Sequence, residues 1–102
     1  MKIIDKASWQ IDAGISKNIV LQHFKNIFSW LNSKNMLTQE GIEDLEFGID
    51  ESVSLNERNI NFQALAFFES EYDEYLRFID YGNDNNALEL EKLYIEYESI
   101  QK

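Results

Sequence analysis

The longest apolar pattern in the chain runs from Asn59 to Tyr81 and has the spacing of an amphipathic helix. Its main stripe advances mostly by three or four residues, which places it along one side of a helix. The members of this stripe are Phe62, Leu65, Phe68, Tyr72, Tyr75, Leu76 and Ile79. A second, narrower line of Ile60, Phe67 and Phe78 lies on the opposite side. Both sides are therefore expected to be covered, either by the rest of the chain or partly by another molecule.

The same spacing predicts three further helices, at about 17–33, 38–49 and 87–101. Thr38 is a suitable N-cap for the short helix, because its hydroxyl can accept a hydrogen bond from a free backbone N–H. Gly82 is followed by a run of Asn and Asp, and this turn should separate the long helix from the last one.

The first sixteen residues lack a sustained period and are interpreted as an extended or irregular arm that packs Trp9 against the helices. The chain contains no proline, no Asn-Gly hairpin signal and no sustained two-residue alternation, which favours helices over strands. Its 102 residues suffice for one core. The sequence therefore predicts an all-α fold over 1–102, a single compact bundle of about four helices with an irregular N-terminal arm.

Negative charge is the strongest feature of the composition. Nineteen acidic side chains against nine basic ones give a formal net charge of −10. Residues 1–34 carry a balance of +3, whereas residues 35–102 carry −13. Such a field repels nucleic-acid phosphates and anionic membranes, and it attracts a basic partner. The alternative interpretation is a solvated surface that keeps a small protein soluble.

Aromatic residues set among acids predict a contact surface for a basic protein partner. The candidate residues are Phe67, Glu71, Glu74, Phe78 and Tyr81 from the long helix, with Glu43, Glu46 and Asp50 from the short one. The alternative is that another helix covers Phe67 and Phe78, which would make both part of the core.

Catalytic and metal-binding patterns are weak in this sequence. His23 is the only histidine, no cysteine is present, and His23 is interpreted as a partly exposed helix residue. The segment from Asp80 to Glu91 has some calcium-loop spacing, but Gly82 and Asn85 occupy two positions that require other residues. We therefore predict no enzyme, no metal site and no cofactor.

The sequence favours a cytoplasmic protein, with a monomer as the expected state. No apolar run approaches the roughly 18–20 residues of a membrane span. The opening residues are interrupted by charge and do not form a signal peptide. Without cysteine, the chain has neither a disulfide frame nor a thiolate site.

Three blocks of the chain resemble a family of small bacterial proteins found beside polymorphic toxins. The most specific block is Ile4-Asp5-Lys6-Ala7-Ser8-Trp9-Gln10 with Gly14, which is similar to a "YDKASWH…G" opening with Gln10 in place of the usual His. The others are Phe28-Ser29-Trp30-Leu31 leading to Met36-Leu37-Thr38, and the group Phe68, Tyr72, Tyr75, Asp80 and Tyr81. Residues 82–102 lie outside the resemblance.

The resemblance implies an immunity protein, of the kind found in contact-dependent growth inhibition systems, which neutralises a cognate toxin inside the producing cell. Such toxins are often nucleases with basic clefts, so an acidic chain without catalytic groups suits the task. The alternative is an acidic adaptor or nucleic-acid mimic that binds another basic protein. A mimic requires carboxylates along a line at roughly phosphate intervals.

Overall fold

Five helices and two short strands make up residues 1–101, the part of the chain that the computed structural model describes. In chain order they are β1 Ile3–Lys6, α1 Ala7–Asp12, α2 Lys17–Ser33, α3 Gln39–Phe47, β2 Ser54–Asn56, α4 Phe62–Phe78 and α5 Asn86–Gln101. The chain is thus mostly helical, as predicted, and four of the helices lie at the predicted places. The expectation of an all-α fold is wrong, because a small sheet is present.

Helices α2, α4 and α5 pack together through their aromatic faces. The ring of Trp30 on α2 lies 5.8 Å from Phe67 of α4 and 5.5 Å from Tyr94 of α5, between ring centroids. Nearer the start of α2, His23 stacks on Tyr75, which lies near the end of α4. Because the start of one helix lies beside the end of the other, α4 runs antiparallel to α2. Burial of these large rings is the main source of stability in such a core.

The N-terminal arm is a strand followed by a short helix. Strand β1 pairs antiparallel with β2, and the register shifts between Ile3 and Asp5. The helix that follows leaves Trp9 51% exposed, with the Lys6 ammonium group 5.6 Å from its ring. The extended alternative is therefore confirmed for Ile3–Lys6, whereas the irregular alternative and the packed Trp9 are wrong.

Helix α4 is shorter than the predicted span of 59–81. The Asn61 side chain accepts a hydrogen bond from the backbone N–H of Ala64 and caps the helix at its start. Both apolar lines are mostly buried, and each has one exposed ring. Phe62 of the main stripe is 86% exposed, and Phe78 of the narrow line is 67% exposed.

Helix α3 packs closely against the segment that precedes α4. The Thr38 side chain caps the helix by accepting from the Gly41 N–H, which confirms the predicted cap, and the Thr38 N–H donates to the carbonyl of Asn59. A Cβ atom on Gly41 would overlap that same carbonyl oxygen. Only glycine therefore fits at this point of contact.

Candidate functional site

The structure divides the predicted contact residues between two surface regions. Glu43 and Glu46 are exposed on α3, and Asp50 is exposed just beyond its end. The other candidates lie on α4 or directly after it. Among the described residues, no side chain lines both the hollow beside α3 and the groove beside α4. The residues predicted to form one contact surface therefore lie on two separate surfaces.

The candidates around α4 are only partly accessible. Phe67 is 1% exposed because the rings of Tyr94 and Tyr97 from α5 cover it at about 5 Å, so its prediction as a contact residue is wrong. Glu71 and Glu74 are half-buried. Tyr81 is also half-buried, and this burial raises the pKa of its phenol. Phe78 is the accessible aromatic residue of this group.

A groove of about 220 Å³ lies between Phe78 and α5. Tyr75 and Leu93 form its apolar wall, and the polar side chains along it are Glu89, Lys92 and Glu96. Two acids at this end of the molecule are already paired. Glu74 lies 3.6 Å from Arg77, and Glu89 lies 3.7 Å from Lys92. The groove is therefore apolar with nearly balanced charge.

A second concavity, which we call the acidic hollow, lies beside α3 and encloses about 320 Å³. Its wall on the helix consists of Glu40, Asp44 and Phe47, which fall on one face because they are four and three residues apart. Asp50 and Arg58 line the remainder of its charged rim. Phe47 is 91% exposed, the largest exposed fraction among the big apolar side chains described.

Sequence reasoning missed Phe47, although its position carries a signal. The spacing of Ile42, Leu45 and Ile49 marks the core face of α3, and Phe47 lies two residues beyond Leu45 on the opposite side. A step of two residues turns a helix by about 200°. An aromatic residue there, next to Glu46, lies away from the core face, so the spacing predicts that it is exposed.

The carboxylate of Asp44 is held by a buried amide. Asn59 is 2% exposed, and its side-chain N–H groups donate to Asp44 Oδ2 at 3.3 Å and to the carbonyl of Ser54 at 2.6 Å. Its side-chain oxygen accepts from the backbone N–H of Asn56 at 3.0 Å. With all its groups engaged, Asn59 has one orientation and fixes Asp44 at the wall of the hollow.

Asp50 is fixed by a local turn. Its Oδ1 accepts from the backbone N–H of Ser52 at 2.9 Å and also from the Ser52 hydroxyl. These hydrogen bonds favour the ionised form and lower the pKa of Asp50, with a smaller contribution from Lys17. Two carboxylates of the acidic hollow are therefore held in place by hydrogen bonds from their own chain.

A third polar group, which we call the buried cluster, connects β1, α1, α2 and α4 through Asp5, Gln10, His23 and Tyr72. The Tyr72 hydroxyl and the Gln10 amide both donate to Asp5 Oδ2. Since the Tyr72 proton is used in this way, His23 Nε2 must be the donor across its 2.9 Å contact with the Tyr72 oxygen. The opposite ring nitrogen, Nδ1, is buried without a partner.

His23 is fully buried, so its interpretation as a partly exposed residue is wrong. Burial disfavours the charged imidazolium and lowers the pKa of His23 to about 4. Asp5 also experiences burial, which raises its pKa despite three hydrogen bonds that favour the ionised form. Because all four side chains of the buried cluster are shielded from water, the cluster offers no access to a substrate.

Residues 1–100 contain no group of three or more His, Asp or Glu side chains arranged to hold a metal ion. No helix within 1–101 has both the length and the apolarity to cross a membrane.

Comparisons with protein-family models, with curated proteins and with solved structures find no match to this chain.

Proposed function

We propose that this chain is an immunity protein that binds a cognate bacterial toxin domain and neutralises it by forming a stoichiometric complex. The toxin domain presents a basic surface, as a nuclease cleft does. The complex forms in the cytoplasm of the producing cell and involves no chemistry by the immunity protein itself. The resemblance of the Asp5-Lys6-Ala7-Ser8-Trp9 block to such proteins motivates the proposal.

The observation that carries the proposal is the acidic hollow. A phenylalanine ring that is 91% exposed stands among fixed carboxylates on a chain of net charge −10. Exposing such a ring to water is unfavourable, and aromatic residues inside polar rims are typical of protein interfaces. The surrounding carboxylates accelerate encounter with a basic partner and repel nucleic acid.

The test uses the toxin domain encoded by the neighbouring upstream reading frame. We expect the two purified proteins to co-elute at a ratio of one to one and the toxin to lose its activity. Affinity should fall as salt is raised, because screening weakens attraction between opposite charges. Failure to co-elute, or turnover of a small molecule by the chain alone, would contradict the proposal.

Two charge-reversal variants compare the two surface regions in that complex. Glu43→Lys with Glu46→Lys reverses exposed acids beside the acidic hollow, and Glu71→Lys with Glu74→Lys makes the same change on α4. We expect the first pair to slow association by about tenfold or more at low salt. The second pair, around a region of balanced charge, serves as the matched control and should have the smaller effect.

A further inference from the structure

We infer that the acidic hollow receives one arginine side chain of the toxin, inserted between the ring of Phe47 and the carboxylates of Asp44 and Asp50. This inference rests on the proposed function and names the chemistry of its central contact. The occupant is the guanidinium group of an arginine side chain that a folded partner carries.

The charges around the hollow select a cation. Three carboxylates, those of Glu40, Asp44 and Asp50, line it against the single guanidinium of Arg58. The α-amino group of Met1, which also lines the hollow, lies 3.8 Å from a carboxylate oxygen of Glu57 and is balanced by it. The acidic hollow therefore keeps an excess of negative charge that its own chain does not neutralise.

The positions of two carboxylates reduce the cost of binding. Asp44 is held by buried Asn59, and Asp50 is held by Ser52, so neither side chain must lose much rotamer freedom when a partner arrives. Asp44 uses Oδ2 and Asp50 uses Oδ1 in these contacts, so the other oxygen of each carboxylate can accept a hydrogen bond from an incoming donor. A preformed acceptor set of this kind suits a rigid donor group.

Arginine fits the acidic hollow better than lysine for two reasons. A guanidinium is planar, so it can stack on the exposed face of Phe47 while its N–H groups point at the carboxylates. It also donates along two edges, whereas an ammonium is a point charge that remains more strongly hydrated. A volume of about 320 Å³ is at the small end of the range for ligand sites, which suits one side chain.

The groove at Phe78 is the competing surface, and its charges argue against this role. Two carboxylates, those of Glu89 and Glu96, line it, and Glu89 is paired with Lys92 of the same chain. A cation that binds Glu89 would have to compete with Lys92. In the acidic hollow three carboxylates face one basic group, so an incoming cation competes less with the cations of the chain itself.

The first experiment tests the arginine preference without the toxin. N-acetyl-arginine methylamide is titrated into the ¹⁵N-labelled protein, with the lysine and citrulline analogues as matched probes. We expect shifts of the backbone amide signals of Asp44, Phe47 and Asp50 with arginine, weaker shifts with lysine and none with neutral citrulline. Equal shifts with all three probes, or arginine shifts confined to the surroundings of Phe78, would overturn the inference.

The second experiment uses the complex. Asp44→Asn with Phe47→Ala is compared with Glu71→Gln with Phe78→Ala, a pair of the same chemical type on the other surface. We expect the first variant to lose about tenfold to a hundredfold in toxin affinity, as interface hot spots do, and the control to lose less than about threefold. Circular dichroism and urea unfolding establish that both variants remain folded.

The outcomes separate the two proposals. If the toxin binds and the variant of the acidic hollow binds as tightly as the original chain, the arginine inference fails and the proposed function stands. If no neighbour-encoded toxin binds while the arginine probe still shifts the signals of the hollow, the proposed function fails and the hollow is an arginine site for another protein. If neither binds, both are wrong.

Discussion

The buried cluster and the acidic hollow both contain an aspartate fixed by hydrogen bonds, yet their chemistry is opposite. Burial raises the pKa of Asp5, whose partners Tyr72 and Gln10 are enclosed with it. Ser52 lowers the pKa of Asp50, which stays in water. A carboxylate enclosed in the fold is disfavoured in its charged form, while one held at the surface keeps its charge in water. Exposure, rather than residue type, separates the two cases.

The strongest test of this comparison is Tyr72→Phe in the buried cluster. The change leaves Asp5 without one donor and His23 Nε2 without its acceptor. We expect the free energy of unfolding to fall by about 3 kcal/mol, the cost of stranding buried polar groups. Urea denaturation measures it, with Tyr97→Phe on a half-buried ring of α5 as the control. A loss below about 0.5 kcal/mol in Tyr72→Phe would show that the buried cluster contributes little to the fold.

The single histidine provides a second test through pH. The pKa of His23 falls from an ordinary value of 6.5 to about 4 in the folded chain, so the unfolded chain binds the proton more readily. The contribution of His23 to the free energy of unfolding is fully present above pH 6.5 and is lost as the pH falls towards 4. The full loss is about 3 kcal/mol. The raised pKa of Asp5 acts in the opposite direction, since its protonation relieves a buried charge.

An NMR titration of the His23 ring separates these two contributions, because no other histidine overlaps its signal. We expect the ring to remain neutral down to about pH 4, and unfolding in urea to become easier from pH 7 to pH 4.5. A ring that titrates near 6.5 in the folded chain would contradict its burial.

The smallest effect on stability is expected at the acidic hollow. Phe47→Ala and Asp50→Asn alter exposed side chains, so each should change the free energy of unfolding by less than about 0.5 kcal/mol. Urea unfolding of each variant, with Phe67→Ala as a core control expected to lose about 3–5 kcal/mol, checks this. A large loss at Phe47 would mean that its ring serves the fold rather than a partner.

Helical periodicity predicted the larger elements of the fold. The span 17–33 coincides with α2, and the last helix begins one residue before its predicted start. Strands β1 and β2 were missed because segments of three or four residues are too short to show alternation. Their pairing joins residues about fifty positions apart, and local sequence does not encode such contacts.

The candidate site was predicted in part. Helical spacing in the short helix placed Asp50 away from the core face, and the structure also has it exposed. Periodicity could not show that Phe67 lies under α5 while Phe78, on the same line, remains open. Nor could it show that Asn59 orients Asp44, since this contact joins a connector to a helix fifteen residues away. Such pairings depend on how the elements pack.

The close contact between Gly41 and the carbonyl of Asn59 has a consequence for how this chain can evolve. It fixes the inner side of α3 but places no demand on the residues that face outward. Those residues can be exchanged without moving the helix, and under the proposed function such exchanges would let the chain match a changed toxin while the glycine stays the same.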